Sequence, residues 1–334
     1  MKISIRRPDD FHVHLRDGDI PSLVGPYTSD SFSRALVMPN TSSPILSAMD
    51  AETYRKKLRE DVPLLEPLMT IQLTSSTSPE MILEAQKVGV MAAKFYPLGV
   101  TTNSGNGSLQ ITDLRSQLSM MEEIGMILCL HGETPNVFCM DRERDFLQRS
   151  LMPLSKGFPK LKIVLEHLST ADAVGYVENL PDNVAATITA HHLVLTLDDV
   201  LGDKLKTHHF CKPIAKHPRD REELRRAATS GNPKFFLGTD SAPHPINGKE
   251  CAEGCAGVFT APVAMEILAE EFEKADALQK LEAFTSEFGA RFYGLPLNKE
   301  KLVLEKKLRR VPGMVQRNFV PFMSGKELLW SRSS

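Results

Sequence analysis

The chain has 334 residues, of which 42% are hydrophobic and 25% charged, and its net charge is −2. These values are typical of a water-soluble globular protein that forms one large domain or two ordinary ones. No apolar run approaches the roughly 18 residues of a membrane helix, and no basic block suggests a nucleic-acid surface. We therefore expect neither a membrane nor a nucleic acid as a partner.

The N-terminal segment MKISIRRPDD lacks the apolar stretch of a signal peptide. The five cysteines cannot all pair within one chain. We therefore expect reduced thiols in a cytoplasmic protein. Because symmetric dimers are the commonest assemblies, we also expect a homodimer.

Eight short apolar segments follow one another along the chain, and most of them end in polar residues. They are FHVHL (11–15), ALVMPN (35–40), PLMTIQLT (67–74), MAAKFYP (91–97), MILCLHGE (126–133), KIVLEHLS (162–169), VAATITAHH (184–192) and KFFLGTD (234–240). Several are almost continuously apolar, as parallel strands are when both faces of the sheet are covered.

Between these strands, segments 47–60, 78–89, 108–125 and 220–231 have helical spacing with acidic starts or glycine ends. Eight strands alternating with helices over roughly 250 residues predict an α/β protein with a TIM (β/α)8 barrel. The alternative is a doubly wound open sheet, although no glycine-rich phosphate loop follows the first strand.

Two terminal segments, 1–7 and about 302–330, lie outside this alternation and contain short strand-like stretches. We expect them to pair as a small annex beside the barrel. Residues 1–334 then form a single domain whose barrel occupies about 8–295.

In a barrel, the carboxyl ends of the strands meet at one mouth. The polar residues at these ends are His12, His14, Arg16, Asn40, Lys94, His131, His167, Asp240 and His244. In FHVHLRD, alternation places His12, His14 and Arg16 on one face of the first strand. One histidine at a strand end is more often a packing residue than a ligand. Four histidines with an aspartate on the last strand predict a site for Zn²⁺ or a similar metal.

Lys94 is the unexpected member of this group. An ammonium beside metal cations is repelled, so a buried lysine here tends to be neutral. A neutral amine can react with carbon dioxide to give a carbamate, whose two oxygens could bridge two metals. The alternative is a lysine whose ammonium reaches outward from the barrel wall to solvent.

Several motifs together resemble the dihydroorotases of the amidohydrolase superfamily, in their shorter single-function type. They are FHVHLRDGD, VMPN, AAKFYP with GVTTNS, LHGE, LEHLST, GTDSAPH and GCAG. The resemblance runs from the first strand to Trp330. It implies a metal-dependent hydrolase that interconverts N-carbamoyl-L-aspartate and L-dihydroorotate in pyrimidine biosynthesis.

The resemblance also implies a role for each site residue. His12, His14 and Asp240 would bind one metal, most often zinc, and His131 and His167 a second. Carboxylated Lys94 and a hydroxide would bridge the pair, and Asp240 would carry a proton from the hydroxide to the leaving nitrogen.

Substrate binding is implied for a further set of positions. Arg16, Asn40 and His244 match the positions that hold the substrate carboxylate, His14 and His131 also face the substrate, and Thr101 and Thr102 match a loop that closes over it. Main-chain groups near Lys212 and Ala256 match positions that contact the ring. Some family members have an apolar residue where this chain has Lys212.

Two other functions remain open at this stage. A hydantoinase or allantoinase would have a similar metal site, although the carboxylate-binding residues favour dihydroorotate. A non-catalytic relative acting as a scaffold would be expected to have lost ligands. Glu133 and Glu166 lie within two residues of His131 and His167 in sequence and are candidates to orient a neighbouring ring. His191 and His192 are candidates for indirect support of the site.

Overall fold

The structure, a computed structural model, describes residues 1–99 and 110–333. Its strands are β1 (Lys2–Arg6), β2 (Asp9–Val13), β3 (Arg34–Val37), β4 (Glu66–Leu73), β5 (Val90–Phe95), β6 (Ile127–His131), β7 (Ile163–Glu166), β8 (Val184–Ile188), β9 (Phe235–Leu237), β10 (Lys301–Arg310) and β11 (Glu327–Arg332). Each of the eight predicted apolar segments overlaps one of the strands β2 to β9.

Strands β2 to β9 form one parallel sheet in which each strand pairs with the next along the chain. The two ends of this sheet also meet. Val13 forms a parallel bridge with Ser241, the Asp240 N–H donates to the His12 carbonyl (2.9 Å) and the His14 N–H donates to the Ser241 carbonyl (3.0 Å). Sequential parallel pairing around a closed ring is a TIM barrel, so the predicted fold is confirmed. A doubly wound sheet is wrong because it would reverse its strand order.

The helices lie between the strands and after them. They are α1 (Ile20–Ser29), α2 (Ala48–Asp61), α3 (Pro79–Lys87), α4 (Arg115–Ile124), α5 (Arg142–Phe146), α6 (Met152–Gly157), α7 (Ala171–Asn179), α8 (Asp198–Leu201), α9 (Pro218–Thr229), α10 (Ile246–Lys249), α11 (Ala264–Lys274) and α12 (Phe288–Phe292). Within the described ranges, none has both the length and the apolar character needed to cross a membrane.

One helix begins later than the sequence predicted. Of the segment 108–125, residues 108 and 109 lie outside the described residues, and Ile111–Asp113 form a 3₁₀ turn. Leu114 then has ψ of 41°, which is not helical, so α4 begins only at Arg115.

The inner face of the barrel changes from apolar to polar along each strand. Ala92 on β5 and Cys129 on β6 belong to an apolar cluster inside the barrel. Lys94 and His131 follow them by two residues and therefore share their side of the sheet. The cluster closes the amino end of the barrel with side chains that include Phe11, Ile127, Val164, Phe236 and Tyr293. This packing leaves the polar groups at the opposite, carboxyl end.

The two termini form a separate antiparallel sheet in the order β1-β10-β11. It is anchored on α11, where Arg309 and Arg332 both pair with the buried Glu266, at 2.6 and 3.2 Å. The buried Trp330 donates its indole N–H to Glu273 at 3.0 Å. The predicted annex is confirmed, while the treatment of the whole chain as one domain stays a prediction.

Candidate metal centre

The polar strand ends converge on one cavity at the carboxyl end of the barrel. Its lining consists of His12, His14, Arg16, Asn40, Tyr96, His131, His167, Lys212, Asp240, Ala242, Ala256 and Gly257. Of the other predicted site residues, Lys94 is fully buried and contacts Glu166, and His244 contacts Arg16. Thr101 and Thr102 lie outside the described residues.

The alternation in FHVHLRD extends over only part of the segment. Strand β2 ends at Val13, the His14 N–H closes the barrel against Ser241, and Arg16 has a left-handed φ of 66°. The interpretation of Arg16 as a strand residue is therefore wrong, because the strand ends before it and its backbone is left-handed. His167 and Asp240 also have positive φ, 44° and 46°, and such backbone strain in non-glycine residues concentrates at functional sites.

Three side chains present their ligand atoms to a common point. The Nε2 atoms of His12 and His14 are 3.2 Å apart, and Oδ1 of Asp240 lies 3.3 Å from the first and 3.1 Å from the second. Bonds of about 2.0–2.1 Å in a tetrahedral site separate neighbouring ligand atoms by about 3.3–3.4 Å. The spacing of these three atoms therefore suits a small divalent cation.

The remaining two histidines lie beside this group. The His167 ring is 5.1 Å from the His12 ring and 4.7 Å from the His131 ring, between centroids. Nε2 of His131 is 2.7 Å from a carboxylate oxygen of Glu133. That contact directs Nδ1 of His131 away from Glu133, as expected when a carboxylate orients a ligand histidine.

Within the described residues, Glu166 makes no hydrogen bond to its sequence neighbour His167. Its Oε1 lies 3.0 Å from Nδ1 of His12, and its Oε2 forms an ion pair with Lys94. The expectation that Glu166 orients a neighbouring ring stays a prediction, and the ring in contact with it is that of His12. Successive residues at the end of β7 point in different directions, so Glu166 reaches across the barrel to another strand.

Lys94 is fully buried, with its Nζ 4.9 Å from the centre of the Tyr96 ring. Burial lowers the pKa of its amine from 10.5 to about 7. The contact with Glu166 favours the charged form, while burial away from water favours the neutral one. The lysine does not reach out to solvent.

The donor set fits a metal. Burial lowers the pKa of His12, His14, His131 and His167, which keeps these rings neutral, and neutral imidazole is the form that binds Zn²⁺. Among the described residues, the buried Nδ1 of His167 makes no hydrogen bond. Buried polar atoms without partners are rare, and a cation bound at this atom would account for it.

A second group of side chains suits a carboxylate. Arg16 donates from Nε to the Pro243 carbonyl at 3.0 Å and from Nη2 to Nε2 of His244 at 2.8 Å. Burial, assisted by the Arg16 charge, lowers the pKa of His244 to about 3. The Tyr96 hydroxyl donates to Oδ1 of Asn40 at 2.9 Å. This bond fixes the orientation of the Asn40 amide, with its oxygen toward Tyr96.

His191 and His192 are buried but do not line the cavity. Nε2 of His192 donates to the Pro213 carbonyl at 3.0 Å, next to Lys212, and Nδ1 of His191 is 3.1 Å from the Thr260 hydroxyl. These contacts connect loops around the barrel mouth, so any support for the site is indirect.

Sequence reasoning missed three residues of this region. Asp10 accepts hydrogen bonds from Thr239 and from the His12 N–H, and Tyr96 holds Asn40. Both stand two residues from a predicted ligand, so strand alternation could have identified them. Lys249, which contacts the loop of Ala256, gave no signal in the sequence.

Comparison with known proteins identifies the family, although no protein-family model matches the chain. A dihydroorotase of Teredinibacter turnerae is 45% identical over 336 residues, covering 98% of each chain. A dihydroorotase of Saccharomyces cerevisiae, solved in complex with 5-fluoroorotic acid, has a TM-score of 0.94 at 36% identity and covers 99% of this chain and 98% of its own. One of Campylobacter jejuni has a TM-score of 0.89 at 36% identity, with 99% and 97% covered. The chain therefore belongs to the dihydroorotases, a family of hydrolases in the amidohydrolase superfamily.

Proposed function

We propose that the chain catalyses the reversible cyclisation of N-carbamoyl-L-aspartate to L-dihydroorotate and water, a step of de novo pyrimidine biosynthesis. One observation carries the proposal: the metal-ligand group of His12, His14 and Asp240 opens into the same cavity as Arg16 and Asn40. A metal beside a carboxylate-binding group suits a cyclic amide that carries a carboxylate. Membership of the dihydroorotase family supports the same reaction.

The centre would hold two divalent cations, which we take to be Zn²⁺. One ion would be held by His12, His14 and Asp240 and the other by His131 and His167, with carboxylated Lys94 as a further ligand. When bound, the ions would supply a nucleophile at neutral pH and polarise the ring carbonyl.

Lys94 is suited to carboxylation by its burial and by its neighbour. The neutral amine forms a C–N bond with carbon dioxide and loses one proton, which gives a carbamate anion. Glu166 contacts the amine and is placed to accept that proton. The carbamate replaces a buried cation by an anion, which removes the repulsion between the lysine and the metals.

Asp240 carries the proton of the reaction. During ring opening, the nucleophilic oxygen adds to the ring carbonyl carbon, and the Asp240 carboxylate accepts the proton that this oxygen loses. When the C–N bond breaks, Asp240 returns the proton to the departing nitrogen. Ring closure runs through the same steps in reverse order.

Arg16, Asn40 and His244 orient the substrate before the chemistry. A guanidinium can grip a carboxylate through two parallel hydrogen bonds. Nε2 of His244 accepts from Arg16 in the structure. When the substrate carboxylate takes that N–H, Nε2 can carry a proton and donate to the carboxylate instead. A fixed ring brings the carbonyl close to the nucleophile and lowers the entropic part of the barrier.

Two alternatives are less well supported. The usual substrates of a hydantoinase lack the carboxylate that Arg16 and His244 would bind. A non-catalytic relative would not be expected to retain both the metal-ligand group and the carboxylate-binding group. We further propose a homodimer in the cytoplasm, where reducing conditions suit the five free cysteines.

The test is hydrolysis of L-dihydroorotate by purified protein loaded with zinc, beside a sample treated with chelator. We expect activity that disappears with the chelator and returns with zinc. Turnover of hydantoin but not of dihydroorotate would mean that the substrate of this site is another cyclic amide. Absence of turnover from protein with two bound metals per chain would contradict the proposed reaction.

A further inference from the structure

Lys249, at the end of α10, is a buried lysine that the proposed chemistry does not use. Lys249 is 2% exposed. Its Nζ donates to the main-chain carbonyls of Phe210 (3.2 Å), Cys255 (2.8 Å) and Gly257 (2.7 Å). An ammonium has three N–H donors, so these carbonyls match its full donor capacity. The lysine therefore connects two separate segments of the chain.

Both segments form part of the cavity wall. The first contains Phe210 and continues to Lys212, and the second contains Ala256 and Gly257; Lys212, Ala256 and Gly257 all line the cavity. The Gly257 N–H also donates to the Phe210 carbonyl at 2.8 Å. The Lys249 ammonium thus contacts both segments at the place where they meet.

The residues on both sides of Ala256 are held by main-chain hydrogen bonds. The N–H of Cys255 donates to the Gly248 carbonyl and that of Gly257 to the Phe210 carbonyl, both at 2.8 Å. Ala256 lies between these two residues and lines the cavity. Its carbonyl oxygen is 3.1 Å from Nε2 of His244, the ring that contacts Arg16.

The segment has little room to move toward the barrel. Gly257 has φ of 147°, and a Cβ added to it would lie 2.5 Å from the Ala242 carbonyl oxygen. Ala242 itself lines the cavity. The segment is therefore held between the loop after β9 on one side and the Lys249 ammonium on the other.

We propose that Lys249 is a positioning residue that directs the main-chain groups of Ala256 and Lys212 toward the substrate ring. A cyclic ureide presents alternating N–H and C=O groups along its edge, and main-chain groups held at a fixed distance complement such an edge. This inference rests on the proposed function, because it takes that ring to be dihydroorotate.

Lys249→Met tests the inference, with Lys234→Met as the matched control. Lys234, just before β9, also directs its ammonium to three carbonyls, those of Val177, Glu178 and Leu180, but at the amino end of the barrel, away from the mouth. For Lys249→Met we expect KM for L-dihydroorotate to rise about tenfold or more with kcat within about threefold of the wild type. Lys234→Met should leave both constants unchanged, and both variants should bind two zinc ions.

A second measurement does not depend on turnover. Amide hydrogen exchange at Cys255 and Gly257 should be faster in Lys249→Met and unchanged in Lys234→Met. If Lys249→Met does not fold, Lys249→Gln retains two donors and should show smaller changes in the same direction. Lys249→Arg retains the charge and should recover part of the lost affinity.

Three results would overturn the inference: an unchanged KM, a fall in kcat with loss of metal, or unchanged exchange at Cys255 and Gly257. A wild-type protein that holds two metals but does not hydrolyse dihydroorotate would contradict the proposed function instead. The exchange experiment would still decide whether Lys249 holds the 255–257 segment.

Discussion

Replacing Arg16 by alanine tests whether the cavity recognises a carboxylate. A guanidinium has five N–H groups, and among the described residues the bonds to Pro243 and His244 account for two of them. Up to three remain for a ligand, which is enough for a two-point grip. Charge-assisted hydrogen bonds contribute about 1.5–3 kcal/mol each, so losing two of them corresponds to about 3–6 kcal/mol, or about 10²–10⁴ in kcat/KM.

The assay measures kcat/KM for L-dihydroorotate and for 5,6-dihydrouracil, which has the ring without the carboxylate. We expect the full loss on the first compound and a loss of less than about fivefold on the second. Arg16→Lys is the matched variant: it keeps the charge but not the planar fork, so its loss on dihydroorotate should be intermediate. An equal loss on both compounds would refute the argument, because Arg16 would then act on the metal centre or on folding.

Three further predictions concern the metal centre and its surroundings. Asp240→Asn should retain the fold but lose most turnover, since an amide cannot carry the proton; near-normal kcat would remove Asp240 from proton transfer. Metal-free protein incubated with bicarbonate and zinc should regain activity faster at pH 8 than at pH 6. The pKa of the Lys94 amine is about 7, so the neutral fraction of this amine rises from about 10% to about 90% between these pH values. A reactivation rate independent of pH would argue against carboxylation of the free amine. Tyr96→Phe removes the 2.9 Å bond to Asn40 and should raise KM by about 5- to 30-fold with kcat little changed, whereas a selective fall in kcat would place Tyr96 in the chemistry.

Local patterns were sufficient for most of the architecture. Apolar runs and helical spacing depend on residues close together in sequence, which is why the eight barrel strands were predicted in the right places. The same local character explains the errors. Nothing in the residues 108–125 revealed that Leu114 interrupts the helix, and the alternation of FHVHLRD did not reveal that the strand ends at Val13.

The candidate site was accessible to sequence reasoning for a related reason. Parallel barrel strands bring their carboxyl ends to one mouth, so the residue type at each strand end predicts the composition of the cavity. The sequence alone groups His12, Lys94, His131 and Asp240 in this way. Their individual roles in metal binding and proton transfer stay predictions.

By itself, the sequence determined the order of the elements, the polar residue types at the strand ends and the family. Only the tertiary structure decided which side chains meet. Glu166 lies 3.0 Å from His12, which belongs to another strand, Tyr96 holds Asn40, and Lys249 joins the segments around Phe210 and Ala256. These contacts connect residues far apart in the chain, and their geometry depends on how the sheet closes and how the loops pack above it, which no local pattern encodes.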